Sequence, residues 1–178
     1  MRRLLVAGAA LLALAGCDVF TAPGTPDSGV GREGARGGAF SHSQSEDLSG
    51  YYTVGETPVG PPEFRLTSLF VGQASAFEDW EAGRRTPGYA PVLLEFSGTG
   101  GGSERVVPDS YSVSDGRVRM TGTSADGQQI VFEGRMNAGA LATARRNLGA
   151  AEVPAVTAVV RIGDRTWSGV KLNWTGGD

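Results

Sequence analysis

Few side chains in this 178-residue chain have the types that catalysis or metal binding demands. It contains one histidine, His42, and one cysteine, Cys17. Acyl-transfer triads pair a hydroxyl or thiol nucleophile with a histidine base that a third group orients. His42 lies among serines in a stretch rich in Gly, Ser and Pro, and it reads as a solvated ring rather than a base. Zinc and soft metals need clustered Cys and His, which the sequence does not contain. Glu78, Asp79 and Glu81 form the densest acidic group, but their spacing departs from the calcium-loop pattern, and a solvated turn is expected there. The run GTGGGSE from Gly98 to Glu104 lacks the Lys and hydroxyl that complete a phosphate-binding loop. A glycosidase-type pair of carboxylates stays open, but nothing marks which pair it would be. No catalytic residue, metal ligand or cofactor is therefore assigned, and the ligand-binding residues are unknown. The remaining candidates for recognition are Trp80, Arg84, Arg85 and Tyr89, in the least regular part of the chain, where a rigid β scaffold carries binding residues. The competing structural expectation is that Trp80 packs over one end of the domain and the arginines are solvated.

The lone thiol points to a different chemistry. Met1, Arg2 and Arg3 open the chain with positive charge, Leu4 to Leu14 form an apolar run, and Ala15 and Gly16 are small residues of the kind a signal peptidase requires beside its cut. Cys17 follows at once. A helix from Leu4 to Gly16 would cover roughly 20 Å, too short for a hydrocarbon core of about 30 Å. The quartet Leu14-Ala15-Gly16-Cys17 resembles the lipobox of bacterial lipoproteins. The resemblance covers only the N-terminal tenth of the chain. It implies export, transfer of diacylglycerol to the Cys17 thiol, cleavage between Gly16 and Cys17, and acylation by chains such as palmitate. Two or three acyl chains hold a protein to a bilayer far more firmly than the marginal binding of a single myristoyl group. The expected location is therefore the cell envelope, with the protein lipid-anchored and not spanning. Asp18 resembles the residue that retains some lipoproteins on an inner membrane.

Sixteen basic residues face 19 acidic ones, and loss of Arg2 and Arg3 with the signal would take the formal charge from -3 to -5. That balance does not suit nucleic acid. With Cys17 acylated no thiol is left for a disulfide, so packing and hydrogen bonds must supply the stability. The division read from composition is a signal peptide over 1–16, a lipidated N-terminus and Gly/Ser/Pro-rich spacer over 17–47, and a folded domain over 48–178. The spacer reads as disordered.

Three turns organise the domain. Asp115-Gly116 supplies a two-residue hairpin that pairs Val113 with Val118 and Tyr111 with Met120. Ala125-Asp126-Gly127 reads as a three-residue loop with Gly127 left-handed, placing Gly122 opposite Ile130, Met120 opposite Phe132 and Arg119 opposite Glu133. Gly163-Asp164 joins 155–162 to 165–174 and sets Val160 opposite Trp167. The apolar set Val170, Leu172, Trp174 is out of phase with that pair, so a β-bulge is expected near Ser168-Gly169. Further strands are expected over 48–54, 64–72, 91–97 and 104–107, with Phe64, Leu66 and Phe70 on one face and Tyr51 and Tyr52 on opposite faces. Ala76 to Gly83 reads as one helical turn or an irregular edge. A short helix near 138–148 would be capped by Asn137, carry Arg145 and Arg146 at its negative end and leave at Gly149.

About eight short strands with tight turns give an all-β domain, a single antiparallel β-sandwich or a small closed β-barrel. The expected function is that of a membrane-tethered envelope lipoprotein whose β domain is a non-enzymatic binding or structural module. Its partners would be the membrane, through the lipid on Cys17, and an envelope protein or a small apolar ligand. One alternative is a lipocalin-like carrier of such a ligand, although the first strand, SGYYTVGE, lacks that family's G-x-W motif. A second is a carboxylate-based envelope hydrolase.

Overall fold

The strands alternate apolar and polar residues as the turns require. The computed structural model describes residues 39–148 and 152–176. Within them the chain forms β1 (Phe40–His42), β2 (Gly50–Val54), β3 (Arg65–Val71), α1 (Ala74–Glu81), β4 (Val92–Ser97), β5 (Ser103–Val106), β6 (Pro108–Ser114), β7 (Arg117–Thr123), β8 (Gln129–Met136), α2 (Ala138–Arg146), β9 (Val156–Ile162) and β10 (Arg165–Thr175). All ten strands join one sheet in the order β1-β6-β7-β8-β9-β10-β2-β3-β4-β5. The sheet curls into a half-barrel. No described helix is long and apolar enough to cross a membrane.

The fold is mostly β, as expected, but neither a sandwich nor a closed eight-strand barrel. Two features account for the difference. The chain passes from β5 into β6 through Val107, so these ends of the curled sheet meet at a covalent corner rather than across a ladder. Gly122 marks how close the corner sits to β7: a Cβ there would lie 2.7 Å from Val106 Cγ1 and 2.9 Å from the Val107 carbonyl oxygen. Beyond the corner, the edge of β6 that a closing strand would need is taken over Tyr111–Val113 by β1, which pairs with it in parallel.

That strand corrects the extent of the spacer. Ala39 to Asp47, expected to be disordered, straps onto the folded body. The Tyr111 amide donates to Ala39 O and the Ser43 amide to Val113 O, both at 2.9 Å. The Asp115 carboxylate accepts from the Ser45 amide and hydroxyl at 2.7 Å and from the Glu46 amide at 2.8 Å. Those bonds, that from the Glu46 amide foremost, hold the Asp115 carboxyl below its ordinary value. Burial pushes Asp47 up, but hydrogen bonds from Ser49 and the Arg145 guanidinium outweigh it and leave that carboxyl lowered too. Composition hid the strap because its partners lie about 70 residues away, in the β6–β7 hairpin.

The three turns give the registers expected, although the Asp115-Gly116 turn closes without the positive φ angles expected of it. Val113 faces Val118 and Tyr111 faces Met120. Gly122 faces Ile130 and Met120 faces Phe132, with Gly127 at φ +80. Arg119 and Glu133 meet at 3.2 Å. Val160 faces Trp167, and the register then slips before Val170 with Gly169 at φ +69, which is the expected bulge. A second bulge was not foreseen. Between Leu66 and Ser68 the register of β3 against β4 shifts, so Leu66, Leu69 and Val71 point inward and Phe70 turns to the outer face. Tyr52 is fully buried and Tyr51 only partly.

Inward side chains of the strands from β2 to β10 build one continuous core, centred on Tyr52, Leu69, Phe96, Met120, Phe132 and Leu172. Helix α2 begins where expected, with Asn137 Oδ1 accepting the Ala140 amide at 3.0 Å, and it packs against β10. Leu148 is left-handed at φ 53, and Gly149 lies outside the described residues.

Candidate functional site

Where one helical turn or an irregular edge is expected over Ala76 to Gly83, the chain forms the two-turn helix Ala74–Glu81, because Phe77 and Trp80, three residues apart, fall on one face and bury against the sheet end. The acidic trio is thereby separated: Asp79 turns to Arg84, which donates through Nε at 2.9 Å, while Glu81 turns toward the strap. Glu81 closes α1, the end where the helix dipole disfavours a carboxylate. Two donors hold it there. His42 Nδ1 lies 2.9 Å from Glu81 Oε1, and the Tyr111 hydroxyl donates to the same oxygen at 3.0 Å. Burial, the bond to Glu81 and its negative charge together push the Tyr111 phenol far up, so it stays a neutral donor.

His42 is therefore not a free ring. It stacks on Phe77 with centroids 5.1 Å apart, and its carboxylate bond fixes Nδ1 as the protonated nitrogen. An imidazole oriented by a carboxylate is two-thirds of a hydrolase triad. Among the described residues, however, no serine, threonine or cysteine hydrogen-bonds its other nitrogen. Arg85 is exposed, as expected, and its guanidinium also lies over Phe40 at 4.5 Å and over Trp80 at 5.1 Å. Phe40 meets Trp80 edge-on at 6.0 Å and Tyr111 at 5.2 Å. Strap and helix are thus joined by an aromatic cluster with a cation on its face. The indole Nε1–H of Trp80 is buried within it, without an acceptor among the described residues.

On the other flank of α1 runs an open groove of about 480 Å³, whose walls include Phe70, Trp80, Arg84, Thr86 and Tyr89. The unforeseen bulge of β3 makes one wall. Turned outward, Phe70 packs between Tyr51 at 5.0 Å and Tyr89 at 5.9 Å, and partial burial raises the Tyr89 phenol, with Tyr51 adding to the effect. Gly72 forms the floor: a Cβ there would lie 3.2 Å from both Ala76 Cβ and the Tyr89 hydroxyl. Opposite the aromatic wall stand Arg84 and Asp79, joined to each other and exposed. Such a groove offers flat apolar surface beside a charged rim, the kind of lining that ligand sites use.

Three of the four sequence candidates, Trp80, Arg84 and Tyr89, thus line one groove, while Arg85 lies behind it on the aromatic cluster. His42, Glu81, Phe40 and Phe70 were not foreseen. Parity could have exposed Phe70 only if the bulge had been recognised, and no local signal links His42 to Glu81, 39 residues on. No group of three or more His, Cys, Asp or Glu able to hold a metal occurs among the described residues. Gly16, Cys17 and Asp18, the positions of the lipobox reading, lie outside them. No family model matches the chain, and neither a curated protein nor a solved structure matches it.

Proposed function

We propose that this chain is a bacterial envelope lipoprotein, held to a membrane by lipid on Cys17, whose β body is a non-enzymatic binding module that presents the α1 groove to another envelope component. One observation carries the reading: the sole cysteine stands directly after Leu14-Ala15-Gly16, behind a positively charged start and an apolar run too short to span. The body supports the binding half. Its interior is filled by side chains such as Phe132, Met120 and Ile130, each fully buried, which favours a surface recognition role over an internal carrier. Its aromatic groove lies on the surface, where a partner can reach it.

The test is to express the chain with its signal in a bacterium fed labelled palmitate, beside the variant Cys17→Ser. The parent should take up label and partition into a detergent phase, and the variant should do neither. Equal labelling and partitioning of the two would end the tether reading. Native mass spectrometry of the Cys17→Ser protein addresses the module: a co-purified lipid-sized adduct would favour the carrier instead.

A further inference from the structure

On the outer face of the sheet one row across five strands carries three cations and no acid. Ser114 faces Arg117, Arg117 faces Arg135, Arg135 faces Thr157, and Thr157 faces Lys171. Residues directly opposed in an antiparallel pair hold their Cβ atoms about 4.5–5.5 Å apart, and like charges so placed destabilise it. Among the described residues no carboxylate forms an ion pair with Arg117, Arg135 or Lys171. The next row on the same face shows the ordinary solution, with Arg119 opposite Glu133 at 3.2 Å. The whole chain carries a net negative charge, so unpaired cations gathered on one face of it call for a ligand rather than for composition as their explanation.

A groove of about 470 Å³ runs along this face, lined by Arg117, Arg119, Glu133, Arg135, Thr157 and Gly169 among others, and the Glu133 carboxylate in it is already paired with Arg119. Gly169 sits at the β10 bulge, where a Cβ would meet nothing within 4 Å, so that side of the groove is open.

We propose that this groove binds a phosphate-bearing anion, gripped between the guanidinium groups of Arg117 and Arg135 with the Thr157 hydroxyl as a further donor. A guanidinium presents a planar fork of N–H donors that matches phosphate oxygens. A phosphate monoester carries about -1.5 to -2 charges near neutral pH, enough to neutralise both arginines and turn their repulsion into shared attraction. A carboxylate would leave one cation in excess. A soluble phosphate monoester and a phosphatidate headgroup offer the same chemistry. This site goes beyond the tether reading, because it lies wholly on the β body and does not depend on acylation of Cys17.

The experiment uses the full chain carrying Cys17→Ser, so that no acyl chain can hold it to lipid. Thermal unfolding is followed while inorganic phosphate is titrated against chloride at matched ionic strength. Separately, the protein is sedimented with phosphatidylcholine vesicles with and without phosphatidate. Phosphate should raise the melting temperature beyond chloride, and Arg117→Gln with Arg135→Gln should weaken that response about tenfold or more. Arg135→Gln alone, without phosphate, should melt higher than the parent, because it removes a like-charge contact, while losing most of the phosphate response. Arg161→Gln, two rows away on the same face, should keep it. Added recruitment by phosphatidate vesicles would identify a lipid headgroup as the source, and a phosphate response without it a soluble ligand. The proposal is overturned if phosphate and chloride act alike and phosphatidate recruits no more protein than neutral lipid. Retention of the response by the double variant would overturn it equally.

Discussion

Replacing Glu81 by Ala isolates the contact that joins the strap to the sheet. Glu81 Oε1 takes both the His42 Nδ1–H and the Tyr111 hydroxyl, and Tyr111 is only 3 % exposed. Without the carboxylate the phenol is left buried and unsatisfied, a loss of about 1–3 kcal/mol. The partly buried His42 contact adds at most about 1 kcal/mol. Against this, removing a negative charge from the C-terminal end of α1 returns roughly 0.3–1 kcal/mol. The net expectation is a destabilisation of about 1–3 kcal/mol, read in urea unfolding as a midpoint lowered by roughly 0.5–1.5 M with unchanged slope. Tyr111→Phe removes the donor and its need together, so the double variant Glu81→Ala/Tyr111→Phe should be more stable than the two single losses summed, by about 1 kcal/mol or more. Tryptophan fluorescence follows the transition. Strict additivity within about 0.5 kcal/mol would show that the phenol does not depend on Glu81 and would refute the reasoning.

Other expectations follow from single contacts. Asn137→Ala should cost about 1 kcal/mol by leaving the Ala140 amide uncapped, and denaturant titration of the variant checks it. Gly122→Ala should cost roughly 1–3 kcal/mol, because the new methyl has the Val107 carbonyl oxygen on one side and Val106 on the other; an unchanged melting temperature would mean that the corner is looser than described. Acid should loosen the strap before the core. The folded Asp115 carboxyl lies below its ordinary value of 3.8, so its contribution is fully present above that value and is lost as pH falls through the lowered one. Amide hydrogen exchange should therefore show the Ser45 and Glu46 amides losing protection as pH drops from about 5 towards 2, while the β7 and β8 amides keep theirs.

Local signals told most about the sheet. Asp-Gly at 115–116, the odd count of residues around Gly127 and the phase slip before Val170 each couple turn geometry to side-chain parity, so register could be read residue by residue along β6 to β10. Long-range choices were not written locally. β1 is three residues long, its side chains are only half-buried, and its ladder depends on an edge of β6 that no neighbouring turn announces. The β3 bulge escaped for the opposite reason. Phe64, Leu66 and Phe70 share a parity that looks sufficient, and only the pairing of Leu69 with Leu94 shows that one residue is spent in between. The candidate site inherits both blind spots: its aromatic wall needs that bulge, and its histidine arrives on the strap. Trp80, Arg84 and Tyr89 were found because irregular sequence beside regular strands marks where recognition residues sit.

The most direct measurement is the intact mass of the protein extracted from bacterial membranes after expression with its signal. Acylation of Cys17 predicts a chain that begins at that residue and is heavier than its sequence by a diacylglyceryl group, with or without a further acyl chain. A chain that retains Met1, or one that begins elsewhere with an unmodified thiol at Cys17, would contradict it.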